Sequence, residues 1–196
     1  MSSHPLEARS EWLPTVAAAN CYASAKESVD WHSDTLTYLG PMPTIGSISL
    51  GAGRPFRFQP YKFAPLSAGN NTNTTIYAIH LPHNSLLIMH PPAQEHWRHQ
   101  VPPSPVHPHP IAGQARINIT FRHYRDEQRL DTIPRCRCGL PCQLRSVVRR
   151  AHNFGRHFYC CHAAHANQGR QCDFFAWWKP PTRGKETSKT LENTKK

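Results

Sequence analysis

The chain has 196 residues, with 23 Lys+Arg against 12 Asp+Glu and a formal charge of +11 at pH 7. That length accommodates one ordinary domain plus a small module. No apolar run approaches the ~20 residues of a membrane span, and 38% hydrophobic residues with five Trp and eight Phe exclude a wholly disordered chain.

The opening stretch, MSSHPLEARSE, holds no apolar signal core, so export is not expected. Short runs rich in β-formers follow at 44–50, 55–59, 75–81, 85–89 and 116–122, most of them bounded by Gly, Pro or Asn. No helical period is sustained between 40 and 124. The expectation is a mainly β body: a sandwich, a barrel or a jelly roll. Residues 69–74 read as a polar hairpin or insertion, and 102–110 as a Pro-rich extended loop. A linker is expected at 126–133, a Cys-rich module at 134–179 and a basic disordered tail at 180–196.

Charge and cysteine are unevenly spread. Residues 1–133 carry ten basic and nine acidic side chains, a net +1, whereas 134–179 carry eight basic residues and only Asp173, a net +7. The last 17 residues add a net +3. Six of the seven cysteines (Cys136, Cys138, Cys142, Cys160, Cys161 and Cys172) lie in the basic module. In a chain with no export signal, such clustering points to a metal site before disulfides.

Two patterns in the body carry chemistry. In His32-Ser-Asp34, residues i and i+2 share one face if the segment is a strand, so an imidazole and a carboxylate can converge on a metal. A second, distant His would complete the 2-His-1-carboxylate set of non-haem iron. A chance surface pair is the alternative. In 116–122, period-two alternation puts Arg116, Asn118, Thr120 and Arg122 on one face and Ile117, Ile119 and Phe121 on the other. Two guanidiniums there suit a dicarboxylate, which Arg binds bidentately; the solvent face of an edge strand is the other reading.

Several segments occur in order: Asn20-Cys-Tyr22, 28–34 (SVDWHSD), 45–52 (IGSISLGA), 85–89 (SLLIM), 96–102 (HWRHQVP) and 116–122 (RINITFR). Together they resemble the AlkB-type Fe(II)/2-oxoglutarate dioxygenases, close to the eukaryotic nuclear homologues, over about residues 18–124. The resemblance implies a double-stranded β-helix (jelly roll) spanning 1–125, with iron held by His32, Asp34 and His99. Chemistry alone leaves His96 and His99 equal; the family's His-x-Val-Pro pattern selects His99. By the same resemblance, Asn20, Tyr22, Arg116, Asn118 and Arg122 would hold 2-oxoglutarate. The implied reaction decarboxylates 2-oxoglutarate to succinate and CO₂ and hydroxylates an N-methyl group, which leaves as formaldehyde. Two departures are expected: a core lacking the lid that precedes the Asn-x-Tyr strand in relatives, and Thr35 where they carry an acid that reads the base.

The module matches a second pattern: Cys136-Arg-Cys138-Gly139, then 155–161 (GRHFYCC), then 172–177 (CDFFAW). Four thiolates can bind zinc tetrahedrally, which would supply folding energy to so small a unit. The pattern resembles the GRF-type zinc finger, and that resemblance selects Cys136, Cys138, Cys161 and Cys172 as ligands of a small zinc-bound β finger. Cys142 and Cys160 become bystanders, and His162 and His165 poor substitutes. Such fingers are associated with single-stranded nucleic acid. Arg149, Arg150 and Arg156, with Arg145 and Arg170 nearby, offer phosphate-neutralising charge, unless they form only a solvated surface. Phe174, Phe175 and Trp177 are either stacking surfaces or the finger's core.

The expected protein is a monomeric nuclear enzyme that uses iron, 2-oxoglutarate and zinc, with no membrane association. It would oxidatively demethylate N-alkylated bases in single-stranded DNA. The alternatives are an RNA demethylase and a non-catalytic nucleic-acid-binding protein with a shortened body.

Overall fold

A computed structural model of the chain describes residues 11–65, 75–163 and 172–180. The insertion expected at 69–74, His165, Arg170 and the tail beyond Pro180 lie outside the described residues. Eight strands build the body: β1 Val16–Tyr22, β2 Val29–His32, β3 Ile45–Gly51, β4 Arg54–Pro60, β5 Tyr77–Leu81, β6 Ser85–Met89, β7 Trp97–Val101 and β8 Arg116–Arg122. A single helical turn, α1 (Ala93–His96), precedes β7. Two antiparallel four-stranded sheets result, in the orders β1-β8-β3-β6 and β2-β7-β4-β5. Strands β1 to β4 alternate between the sheets, and β5 to β8 alternate in the opposite sense. That winding is a double-stranded β-helix, the jelly-roll topology.

Tyr22, Leu39, Ile45, Phe56, Leu81, Met89 and Val101 form a buried cluster contributed by both sheets, with Val29, Phe58 and Leu87 packed against it. Each such side chain contributes about 1.5–3 kcal/mol when removed from water. β8 reverses the usual sense of a strand pattern. It is a central strand, paired to β1 from Tyr22↔Arg116 to Val16↔Arg122 and to β3 from Gly51↔Arg116 to Gly46↔Phe121. Its polar residues Arg116, Asn118 and Thr120 are the buried ones, while Ile117 is 42% exposed. The polar face therefore lines the interior, and the solvent-facing edge-strand reading is excluded.

The segment 126–133 is packed against its surroundings. It holds a 3-10 turn at Asp126–Gln128, and both Gln128 and Ile133 are buried. Ile133 belongs to the cluster of Cys136, Cys142, Cys161 and Ala163. Beyond it, β9 Gln143–Ser146, β10 His157–Cys160 and β11 Phe175–Trp177 form a small antiparallel sheet in the order β11-β10-β9.

Candidate metal centres and their surroundings

His32 is the last residue of β2 and Asp34 lies two residues beyond it, so they do not share a strand face as the i, i+2 argument supposed. A loop hydrogen bond places Asp34 instead: its backbone N–H donates to Oε1 of buried Gln94 in α1 (2.8 Å). β7 pairs with β2 in the register His32↔His99, which sets the two imidazoles 4.3 Å apart between ring centroids. His32 Nε2 and His99 Nε2 then lie 3.9 and 3.7 Å from the same oxygen, Asp34 Oδ1. His96, which chemistry alone left equal to His99, is placed elsewhere, with its ring 5.3 Å from Phe154.

The surroundings prepare these three groups as metal donors. Asp30 O is 2.7 Å from His32 Nδ1; a carbonyl can only accept, so Nδ1 donates there and Nε2 is the nitrogen turned toward Asp34. Burial pushes His99 down to about 4, assisted by His32 and opposed by Asp34, so its imidazole is neutral at pH 7. The other carboxylate oxygen, Asp34 Oδ2, accepts from Arg122 Nε at 2.7 Å. Two imidazoles and one carboxylate with ligand atoms within 4.8 Å of one another can hold a metal ion. This donor set on one side of a cation is that of non-haem iron(II) oxygenases.

Beside this cluster, a narrow chamber of about 60 Å³ lies between the sheets, lined by Asn20, Tyr22, Arg116, Asn118 and Arg122 among others. Arg116 is 1% exposed. Its Nη2 donates to Ser49 Oγ (2.7 Å) and Asn118 Oδ1 (3.2 Å), but Nε and Nη1 have no hydrogen-bond partner. A buried cation with two unused donors is costly unless an anion completes it. The residues present therefore fit a carboxylate ligand. Arg116 and Arg54 both approach the Tyr22 ring, at 5.3 and 5.7 Å from its centroid. Burial raises the Tyr22 phenol above its usual value, with the two arginines opposing.

In the finger, the sulfurs of Cys136, Cys138, Cys161 and Cys172 lie within 4.8 Å of one another. Hydrogen bonding to the Phe174 backbone leads in holding Cys172 down at about 6, while its bond with Cys172 leads in pushing Cys138 up to about 12. A soft cation bound there would displace the thiol protons. Cys142 is outside the cluster; burial pushes it up to about 12, as befits a core thiol. The aromatics divide between the two roles open to them. Phe174 packs on the finger's core, whereas Phe175 is 52% exposed and stacks on Phe158 at 5.3 Å. Arg149, Arg150 and Arg156 are all exposed, and Arg156 lies over the Trp177 ring at 3.9 Å.

The finger docks on the body. His157 Nε2 lies 3.0 Å from Oε1 of Glu95, which is fully buried and also accepts from the Met42 backbone. Leu144 N–H donates to Thr37 Oγ1, and the Tyr159 hydroxyl donates to Gln128 Oε1. Gln94, Glu95 and Arg54 are the positions that reading residues in order missed.

The model of the 2OG-Fe(II) oxygenase superfamily matches residues 3–122. The chain belongs to that superfamily. The model of the GRF zinc finger matches residues 134–180. Among curated proteins, alpha-ketoglutarate-dependent dioxygenase alkB homolog 3 of Mus musculus is 42% identical over 103 residues, covering 53% of this chain and 34% of that protein. The Homo sapiens protein of the same name is 41% identical over the same length and coverage. DNA oxidative demethylase ALKBH2 of Arabidopsis thaliana is 32% identical over 116 residues, covering 53% and 35%. The chain thus spans about a third of the length of the curated relatives it matches. Membership carries Fe(II) and 2-oxoglutarate as the superfamily's cofactor pair, and the finger's four-cysteine cluster has the donor set to hold zinc.

Proposed function

We propose that the chain is an Fe(II)- and 2-oxoglutarate-dependent dealkylase of N-alkylated bases in single-stranded nucleic acid. In this reading His32, Asp34 and His99 hold the iron, and Asn20, Tyr22, Arg116, Asn118 and Arg122 seat 2-oxoglutarate. Cys136, Cys138, Cys161 and Cys172 hold zinc, and Arg149, Arg150 and Arg156 attract phosphates. The observation that carries the reading is fully buried Arg116, with two donors unused, in a chamber that runs to the His32–Asp34–His99 cluster. A resident anion beside a metal triad is the requirement of this reaction class, and the names of the relatives support the same chemistry.

The iron and 2-oxoglutarate, when bound, supply the oxidising chemistry that hydroxylates an N-methyl group, which leaves as formaldehyde. The protein supplies position. Arg122 orients the Asp34 carboxylate, the Asp30 carbonyl fixes the His32 tautomer, and Gln94 anchors the Asp34 backbone. Arg116, with Asn118 and Ser49 behind it, offers a fixed fork for the distal carboxylate.

The test is formaldehyde and succinate release from 1-methyladenine- and 3-methylcytosine-bearing single strands, offered as DNA and as RNA. Turnover that disappears in His32→Ala supports the enzyme. Tight binding of the strands with no formaldehyde from either would replace it with a non-catalytic binding protein.

A further inference from the structure

The finger's strand β9 pairs with β10 on one edge only, and its other edge is turned to the body, where Leu144 N–H reaches Thr37. That edge borders a cleft of about 420 Å³ whose far wall includes His32, Ser33, Asp34 and Tyr61. The mouth of the metal cluster therefore has one wall from the body and one from the finger. Tyr61, Arg145, Ser146 and Val148 also line a larger groove of about 1190 Å³, so cleft and groove adjoin along these residues.

The groove has the chemistry of a polyanion track. Lys62 and Arg98 stand on the body side and Arg149 and Arg150 on the finger side, and no carboxylate lines it among the described residues. Flat surfaces are interleaved: Trp31, over which Arg98 lies at 5.3 Å, and the Phe158–Phe175 stack. Cations with aromatic faces suit an unpaired strand, whose bases stack while its phosphates are neutralised. At the cleft, two polar atoms of β9 are buried with no hydrogen-bond partner: Gln143 Oε1 and Ser146 Oγ. Both residues line the mouth beside the metal cluster. Buried polar groups left unpaired are costly, and a ligand with matching donors and acceptors relieves them.

We propose that β9 is the outer wall of the base pocket: a single strand runs along the groove, and the target base turns past Tyr61 into the cleft. Gln143 and Ser146, which point to opposite faces of β9, there meet the base's hydrogen-bonding edge from the two sides of the strand's edge. The finger then belongs to the pocket and reads the base. This rests on the dealkylase reading for the identity of the base as substrate, and on charge and shape alone for the path of the strand.

Two measurements on the full chain test it. In the first, a methylated single strand carrying a photoreactive group beside the target base is cross-linked to zinc-loaded protein with Mn(II) in place of iron. Labelled peptides should include both 143–148 and the segment containing Tyr61. Cross-links confined to the body, or to finger residues outside β9, would overturn the proposal. In the second, Gln143→Ala combined with Ser146→Ala should lower kcat/KM for the methylated strand about tenfold, with one zinc per chain retained. Gln143→Glu should reorder the preference among methylated bases. Unchanged kcat/KM and unchanged base preference would also overturn it. If no methylated strand is turned over at all while the β9 and Tyr61 cross-links appear, the dealkylase reading fails and the two-walled path stands.

Discussion

Arg116 concentrates the chemistry of the body into one side chain. Its guanidinium is held flat by Ser49 and Asn118, and those bonds leave Nε and Nη1 for something else. A bidentate charge-assisted pair formed there is worth about 3–4 kcal/mol. Arg116→Met should therefore weaken 2-oxoglutarate binding by about 10²–10³-fold, read by calorimetry on manganese-substituted protein. An unchanged dissociation constant would remove Arg116 from the co-substrate site. At this scale the sequence was informative where spacing carried the signal, as in the alternating face of 116–122. It was silent on Arg54, which is fully buried and donates to the carbonyls of Ser24, Glu27 and Pro102. Those acceptors are main-chain atoms of distant loops, and no residue type marks them.

Among elements, strands 85–89 and 116–122 were legible because β-formers fill them, and the structure gives those same bounds. β1 was not, because Val16–Tyr22 is mostly alanine and polar residues; its full-length pairing with β8 holds it. The docking of finger on body was equally invisible, since His157 meets Glu95 across 62 residues of chain. That contact is a weak point once broken. Glu95→Ala strands both the His157 ring and the Met42 amide in a buried setting, and should cost about 2–4 kcal/mol in urea unfolding; a loss below half that would mean the contact is dispensable. The neighbouring His96 predicts a pH dependence. Burial holds its pKa below 6.5, with Glu95 opposing, so the folded state keeps it neutral against Phe154. The unfolded chain takes up that proton first, so this contribution is complete above about pH 6.5 and is lost as pH falls through the lowered folded value. His96→Phe should flatten the fall in Tm between pH 7.5 and 5.5, and an equally steep fall would exclude this source.

For the finger as an element, the four-sulfur geometry separates adjacent cysteines. Cys161→Ser should release zinc together with single-strand affinity, whereas Cys160→Ser should keep both, measured by metal analysis and fluorescence anisotropy. Cys160 donates to the Gln143 carbonyl at 3.8 Å and stands outside the ligand cluster. The reverse result would reassign the ligand.

At the scale of the whole molecule, the described residues gather two candidate metal clusters of opposite softness. The finger offers four thiolates, and the body offers two imidazoles and a carboxylate. Imidazole–carboxylate sites bind zinc more tightly than iron(II), so the body cannot select its own metal by affinity. The thiolates can do the sorting, because they take zinc first and leave the harder site to iron until they are full. Zinc titrated into metal-free protein before iron should leave turnover intact through the first equivalent and abolish it through the second. With Cys161→Ser, inhibition should begin at the first addition. The finger would then act as a built-in zinc buffer for the chain's own iron centre.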